Sequence, residues 1–203
     1  MEQYTIFLFL TASVTLTLLP GPDILFVIST SLAQGWRKGL IVSIGLCSGL
    51  IIHTLIVILG LGAILQALPQ AVRVIELFGA TYLLFIAYQL YKSPHDKPVI
   101  SDKKKLPDRL FLTGFLMNIS NPKVSLFFIS FFPGFLFSKL MSYQLQFLIL
   151  GSIFFVQALL LFILTAILVD YLGKQSKKYW DQVFWNKTQA MVLLLIALVL
   201  IYP

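Results

Sequence analysis

Long segments of this chain contain almost no charged side chains. Residues 140–169 contain no Asp, Glu, Lys, Arg or His, and three further segments contain one each: 3–36 with Asp23, 39–72 with His53 and 110–138 with Lys123. A helix needs about 20 apolar residues to cross a bilayer, so each segment is long enough to span it. Only 11% of the 203 residues are charged, against roughly 25% in soluble domains. The sequence therefore predicts a multi-pass membrane protein.

Two shorter apolar segments bring the predicted number of spans to six, in an all-α membrane protein. The predicted spans are 5–33, 40–65, 72–91, 111–135, 145–169 and 187–202. A hydrophilic linker, 92–110, divides this single transmembrane domain (1–203) into two three-helix repeats, 1–91 and 111–203. An odd number of spans per repeat gives the two repeats opposite orientations, as in many secondary transporters. A re-entrant hairpin over 5–33 is the open alternative, and it would move the N-terminus to the other side.

The basic residues are concentrated in three loops that this topology places on one side. Most of the 15 lysines and arginines lie in residues 34–39, 92–110 and 170–187. The positive-inside rule places these loops in the cytoplasm and both termini outside. The net charge of +7 is therefore interpreted as a topology signal beside a lipid bilayer, and no nucleic-acid partner is predicted.

Prolines predict a break in the first and in the fourth span. Proline lacks the N–H donor that a helix interior needs, and broken backbone at membrane depth is tolerated only where it is buried in protein or lines a cavity. Asn118 and Asn121 precede the second break and add amide groups to it. The residues that predict the breaks are Pro20, Gly21, Pro22 and Pro122.

Asp23, His53 and Lys123 are the ionisable residues near mid-membrane, where the default interpretation is functional because charge burial there is costly. A chamber between the two breaks would suit a zwitterion, with Asp23 on its ammonium and with Lys123 and helix N–H groups on its carboxylate. Asn118 and Asn121 are the further candidates for substrate binding. Asp23 and His53 are the candidates for proton coupling, since histidine titrates near neutrality. An inert Asp23–Lys123 ion pair and a neutral packing role for His53 are the structural alternatives.

Several motifs resemble the LysE/RhtB family of bacterial amino-acid exporters. They are LLPGPDILFVISTSLAQGWRKGL (18–40), the glycines and His53 of the second span, FGATYLLFIAYQLYKS (78–93) and GFLMNISNPKVSLFFISFFPGF (114–135). The resemblance implies secondary-active efflux of amino acids or close derivatives by proton antiport, across a bacterial cytoplasmic (inner) membrane. The family's fourth span often ends in a Pro-Gln-Phe-like triplet, which here reads Pro133-Gly134-Phe135.

Other functions remain as alternatives. A divalent-cation exporter of related architecture is disfavoured because hard cations need several oxygen ligands, and one Asp beside a Lys supplies few. An intramembrane enzyme would need an acid–base pair such as Asp23 and His53, but no paired carboxylates or nucleophile triad stand at a readable spacing. No enzyme activity, cofactor or metal site is predicted. The GLCSG motif (45–49) favours internal helix packing over a dimer interface, and homo-oligomerisation is left open.

Overall fold

The computed structural model describes residues 2–19, 21–68, 70–92 and 108–172, with scattered residues between 187 and 201. All regular elements in this part of the chain are helical, which confirms the all-α prediction. A π-helical turn, Val57–Leu61, joins α3 to α4, and a 3₁₀ turn, Phe132–Phe135, follows α7. The helices are α1 (Glu2–Leu18), α2 (Pro22–Gln34), α3 (Trp36–Ile56), α4 (Gly62–Ala67), α5 (Ala71–Lys92), α6 (Leu110–Ile119), α7 (Pro122–Phe131) and α8 (Tyr143–Leu172).

Two continuous helical segments of the described chain are long and apolar enough to cross a membrane. They are Trp36–Ala67, with 32 residues, and Tyr143–Leu172, with 30 residues. Two more spans result if α1 with α2, and α6 with the segment Pro122–Phe135, each count as one bent span. Helix α5, Ala71–Lys92, covers the third predicted span. The sixth predicted span and most of the 92–110 linker lie outside the described residues, so the six-span inverted repeat stays a prediction.

Both bent spans bend where the sequence places its prolines. The axes of α1 and α2 differ by 56°, and those of α6 and the segment after it by 49°. Helices α2 and α7 each begin at a proline, Pro22 and Pro122, a position where the missing N–H is not needed. Pro20 lies outside the described residues.

Helix α3 lies at the centre of the described bundle and contacts α2, α6 and α8. Glycines allow its backbone to approach α6 closely. A Cβ on Gly45 would collide with the carbonyl oxygen of Phe111, and a Cβ on Gly114 would press on the carbonyl oxygen of Val42. The small residues at the start of the GLCSG motif therefore serve packing inside this chain.

At one end of the bundle, the loop between α2 and α3 contacts the end of α8. The backbone N–H of Trp36 donates to Oδ2 of Asp170 over 3.1 Å. Gly35, just before it, has a positive φ of 84°, which favours glycine. Two of the three basic loops thus begin at the same end of the molecule.

At the opposite end of the bundle, one hydrogen bond joins α4 to the start of α8, and another joins α5 to Ile201. The Gln66 amide donates to Oε1 of Gln144 over 3.1 Å, and Arg73 donates to the carbonyl oxygen of Ile201 over 2.6 Å. Thr5, near the start of α1, lines the same open cleft as Gln66. The described residues nearest both termini therefore lie at the end opposite the basic loops.

Candidate functional site

Asp23 joins the two bent spans. It lies in the first turn of α2, where a negative charge is favoured by the positive end of the helix dipole. Its Oδ2 accepts a hydrogen bond from Nδ2 of Asn118 over 3.0 Å, and its Oδ1 accepts one from Nδ2 of Asn121 over 3.1 Å. A carboxylate from the first break is therefore held by two amides from the second.

Asn121 has two functions because its side chain bonds in two directions. Its Oδ1 accepts from the backbone N–H of Lys123 over 3.1 Å and so caps the start of α7, as asparagine commonly does. Since the oxygen is used by the cap, the amide nitrogen is turned towards Asp23. The cap that begins α7 also positions a donor for the carboxylate.

Lys123 reaches across to the end of α1. Its Nζ donates to the carbonyl oxygens of Leu16, over 3.1 Å, and Leu19, over 3.4 Å. The last carbonyls of a helix lack intrahelical donors and carry partial negative charge, so they attract an ammonium. In the described structure, the hydrogen bonds of Lys123 and Asp23 thus go to different partners, not to each other.

His53 lies behind the second break. Its Nε2 is 3.2 Å from the carbonyl oxygen of Asn118, and because a carbonyl only accepts, Nε2 must carry the proton in this bond. The imidazole is buried, and its centroid lies 5.5 Å from that of the Phe128 ring. His53 is therefore connected to Asp23 through Asn118, whose carbonyl oxygen it contacts and whose amide donates to the carboxylate.

A cavity of about 30 Å³ lies between the two breaks, α3 and α8. A space of this size holds a water molecule or two and is too small for an amino acid. One side is polar, with Asp23, Lys123 and the two asparagines, and the remainder is mainly apolar. The lining residues are Leu16, Thr17, Leu19, Gly21, Asp23, Ile24, Leu50, Asn118, Asn121, Lys123, Val124, Phe154, Ala158 and Phe162.

The structure brings most of the predicted site residues to this cavity. Asp23, Lys123, Asn118, Asn121 and Gly21 line it. Among the described lining residues, Leu50 is the contribution of α3, and His53 lies outside the lining. Pro22 and Pro122 are the first residues of α2 and α7 rather than part of the wall.

Sequence reasoning missed a polar pair at the apolar side of the cavity. The Gln157 amide of α8 donates to the hydroxyl of Thr17 over 3.0 Å. Within the described structure, Oε1 of Gln157 and Oδ1 of Asn118 are buried without a hydrogen-bond partner. An amide in the middle of an otherwise apolar predicted span was the available signal for Gln157.

The carbonyls of Leu16 and Asn118 could also have been found from the sequence. Each is four residues before a proline, which has no N–H to give it. In the structure each accepts a local bond from the N–H three residues later. The oxygen of Leu16 accepts from Leu19 over 3.3 Å, and that of Asn118 accepts from Asn121 over 3.0 Å. Each is then completed by a side chain from elsewhere in the chain.

Comparison with known proteins identifies one family. The family model described as LysE type translocator matches residues 14–203. The "Uncharacterized membrane protein YrhP" of Bacillus subtilis (strain 168) is 25% identical over 201 residues, 94% of this chain and 95% of that protein. No solved structure matches this chain.

Two relatives with functional names align over shorter stretches. A "Leucine efflux protein" of Klebsiella pneumoniae is 30% identical over 130 residues, which cover 63% of this chain and 61% of that protein. A "Homoserine/homoserine lactone efflux protein" of Salmonella typhimurium is 30% identical over 147 residues, or 71% of this chain and 70% of that protein. The relatives of this chain therefore include proteins named for efflux.

Proposed function

The chain belongs to the LysE type translocator family, and on this premise we propose that it is a secondary-active exporter of amino acids or close derivatives, driven by proton antiport. The observation that carries the proposal is the placement of Asp23 and Lys123. One carboxylate and one ammonium line the same small cavity without bonding to each other. Two charges held at two broken helices favour a transporter over an enzyme.

The charge arrangement suits a zwitterion. The ammonium of an amino acid would pair with Asp23, and its carboxylate with Lys123 and the amides of Asn118 and Asn121. Helix α7 begins beside the site, and the positive end of its dipole also favours a carboxylate. Both charges of the substrate would thereby find a partner in a cavity where an unpaired charge is costly.

The apolar side of the cavity provides a place for the substrate's side chain. Ile24, Leu50, Val124, Phe154 and Phe162 line it. An aliphatic side chain would be stabilised there by the area that it removes from water. We therefore propose small aliphatic amino acids as the first substrates to test, a choice that the name of the similar leucine efflux protein also favours.

The chemistry of Asp23 supports the proposal of proton antiport. A carboxylate can bind a proton or pair with an ammonium, but a protonated carboxyl no longer attracts the ammonium. Proton entry from outside would therefore release the substrate, and substrate binding from the cytoplasm would release the proton. His53 would influence this exchange through Asn118, whose carbonyl it contacts and whose amide binds Asp23.

Alternating access must enlarge the cavity, because about 30 Å³ excludes every amino acid. We propose that one repeat rocks against the other, as in transporters with inverted repeats. The contacts at the two ends support the corresponding topology. The loop after α2 and the end of α8 share one end, which we propose to be cytoplasmic, and the described residues nearest both termini lie at the other end. The membrane is proposed to be a bacterial inner membrane.

Proteoliposomes with an imposed pH gradient test the proposal by amino-acid counterflow. We expect proton-linked flux of one amino-acid class in the wild-type protein. Asp23→Asn and Lys123→Gln should each reduce it about tenfold or more, the scale expected when one partner of a buried charge contact is lost. Asp108→Asn and Lys139→Gln, which change exposed residues away from the cavity, should leave it unchanged.

Two outcomes would overturn the proposal. Flux that survives both site substitutions would make the charges structural. Flux of a divalent cation in place of every amino acid would favour the cation-exporter alternative.

A further inference from the structure

We infer that the C-terminal carbonyls of α1 form an ammonium-binding site, which Lys123 occupies as a tethered ligand in the substrate-free protein. The part of this inference that concerns substrate rests on the proposed function. When substrate binds, its carboxylate draws Lys123 away, and its own ammonium, which has three N–H donors, pairs with Asp23 and also donates to the carbonyls that Lys123 leaves. The site thus binds the ammonium of Lys123 in the absence of substrate and the ammonium of the substrate when substrate is bound.

The acceptors at this site are backbone carbonyl oxygens at the end of α1, and a proline in the sequence leaves one of them without its helical donor. The carbonyl oxygen of Leu16 would normally bond the N–H of residue 20, but Pro20 has none. Its bond from the N–H of Leu19 is long, at 3.3 Å. Together with the carbonyl of Leu19, it lies at the negative end of the α1 dipole. Two outward-facing carbonyls at a helix end are a suitable acceptor pair for a cation.

The occupant is an ammonium with the required geometry. Nζ of Lys123 lies 3.1 Å from the oxygen of Leu16 and 3.4 Å from that of Leu19. All three residues line the cavity that contains Asp23, so the carbonyls are open to the same space as a substrate. In transporters with broken helices, carbonyls at such half-helix ends commonly coordinate a free cation. Here the chain supplies the cation itself.

The position of Lys123 explains how the two charges can coexist near each other without forming an ion pair. The carboxylate of Asp23 is satisfied by two amides, and the ammonium of Lys123 by two carbonyls. Both charged groups are therefore bound to neutral partners in the absence of substrate. Each can exchange those partners for the opposite charge of a zwitterion. A direct Asp23–Lys123 pair would have to be broken before substrate could bind.

The test uses the full chain in detergent micelles and measures thermal unfolding. Cys47 is the single cysteine and is fully buried, so its labelling by a thiol-reactive dye reports unfolding. Lys123→Ala should lower the unfolding temperature, and ethylammonium chloride should restore it in a saturable manner. Sodium chloride and tetramethylammonium chloride, which provide no N–H donor, should restore it less. Lys139→Ala is the matched control, because Lys139 is exposed.

An effect of ethylammonium on Lys123→Ala no greater than on Lys139→Ala would overturn the inference, as would equal restoration by sodium. A second pair covers the case in which Lys123→Ala does not fold. Lys123→Arg keeps a cation with N–H donors and should unfold at a higher temperature than Lys123→Met, which keeps only the length. The reverse order would also overturn the inference.

Flux measurements separate this inference from the proposed function. Ethylammonium should restore part of the amino-acid flux that Lys123→Ala loses in proteoliposomes. If the wild-type protein moves no amino acid while the unfolding temperatures follow the expected pattern, the proposed function fails and the ammonium site stands. If wild-type flux is present but ethylammonium changes neither flux nor stability of Lys123→Ala, the ammonium site fails alone.

Discussion

The two helix breaks face the same hydrogen-bonding problem and solve it with different side chains. In each, a proline leaves the carbonyl four residues earlier without its helical donor: Leu16 in the first break and Asn118 in the second. Lys123 donates to the first carbonyl and His53 to the second. Each donor comes from the other predicted repeat, so each break is completed by the half of the chain that does not contain it.

The breaks differ in how firmly they are held. The second has a local cap, in which the side chain of Asn121 accepts from the N–H of Lys123. Its outside donor, His53, is a buried ring packed near Phe128. The first has Gly21 as the capping residue, with no side-chain hydrogen bond. Its outside donor is the end of a flexible lysine that lines the cavity.

This difference indicates that the two breaks have different roles, one in positioning side chains and one in movement. A rigid second break keeps Asn118 and Asn121 aimed at Asp23, while the first break can separate from Lys123 and move. We expect substrate-dependent motion to concentrate where α1 and α2 meet. Each substitution below is designed to loosen the second break or to stiffen the first.

The largest effect is expected from crowding the second break. A Cβ on Gly49 would overlap the side chain of Asn118, and overpacking a core commonly costs about 1–3 kcal/mol. Gly49→Ala should therefore lower the Cys47-reported unfolding temperature and, by displacing the amide from Asp23, reduce flux about tenfold or more. Gly60→Ala is the control, since a Cβ there meets nothing within 4 Å. Equal effects of the two substitutions would show that Asn118 needs no fixed position.

A similar effect on stability but a smaller effect on flux is expected from removing the donor to the Asn118 carbonyl. His53→Ala should destabilise the protein by about 1–3 kcal/mol, the usual cost of a buried group left without its hydrogen bond. His53→Gln, which retains an N–H donor, should recover most of that loss and keep flux dependent on the pH gradient. The readouts are the Cys47-reported unfolding temperature and counterflow at several imposed gradients.

The same pair of variants separates positioning from proton relay. A relay needs a group that binds and releases a proton near neutrality, which glutamine cannot do. Loss of pH dependence in His53→Gln, with the unfolding temperature unchanged, would therefore show that His53 relays protons. In that case the side chain that completes the second break would take part in transport, as Lys123 does at the first, and would not serve only to hold the break.

Much of the site could be predicted from the sequence because charge and proline are conspicuous in an apolar span. Asp23, Lys123 and the two prolines at the starts of α2 and α7 were identified because a charge or a helix break inside a membrane span carries a high free-energy cost. Such residues are therefore expected to have a function. Asn118 and Asn121 were found because they flank such a break. The cavity formed by these residues is therefore predicted by local chemistry.

The partners of these groups could not be predicted in the same way. The direction of Lys123 depends on where the end of α1 lies relative to α7, which is set by packing between distant segments. Thr17 and Gln157 lie 140 positions apart, and no periodicity in one apolar helix identifies its neighbour. The fold was likewise predicted as all-α, but which helices touch depends on close approaches such as that of α3 and α6.

The smallest effect, and the most direct test of the comparison, is expected from giving the first break the cap that the second already has. Serine at position 21 can accept a hydrogen bond from an N–H in the first turn of α2. A Cβ there would lie 3.5 Å from Nζ of Lys123, an ordinary contact, so Gly21→Ser should fit without strain. It should stabilise the protein by a few tenths of a kcal/mol, or roughly 1 °C. If motion at the first break limits transport, flux should fall about twofold although the protein is more stable. Gly60→Ser makes the same chemical change at an open position within a helical turn. It can gain a similar few tenths of a kcal/mol from helix propensity but should leave flux unchanged. A stabilised Gly21→Ser variant with wild-type flux would show that the loose cap of the first break plays no part in transport, and that the two breaks differ only in which side chain completes them.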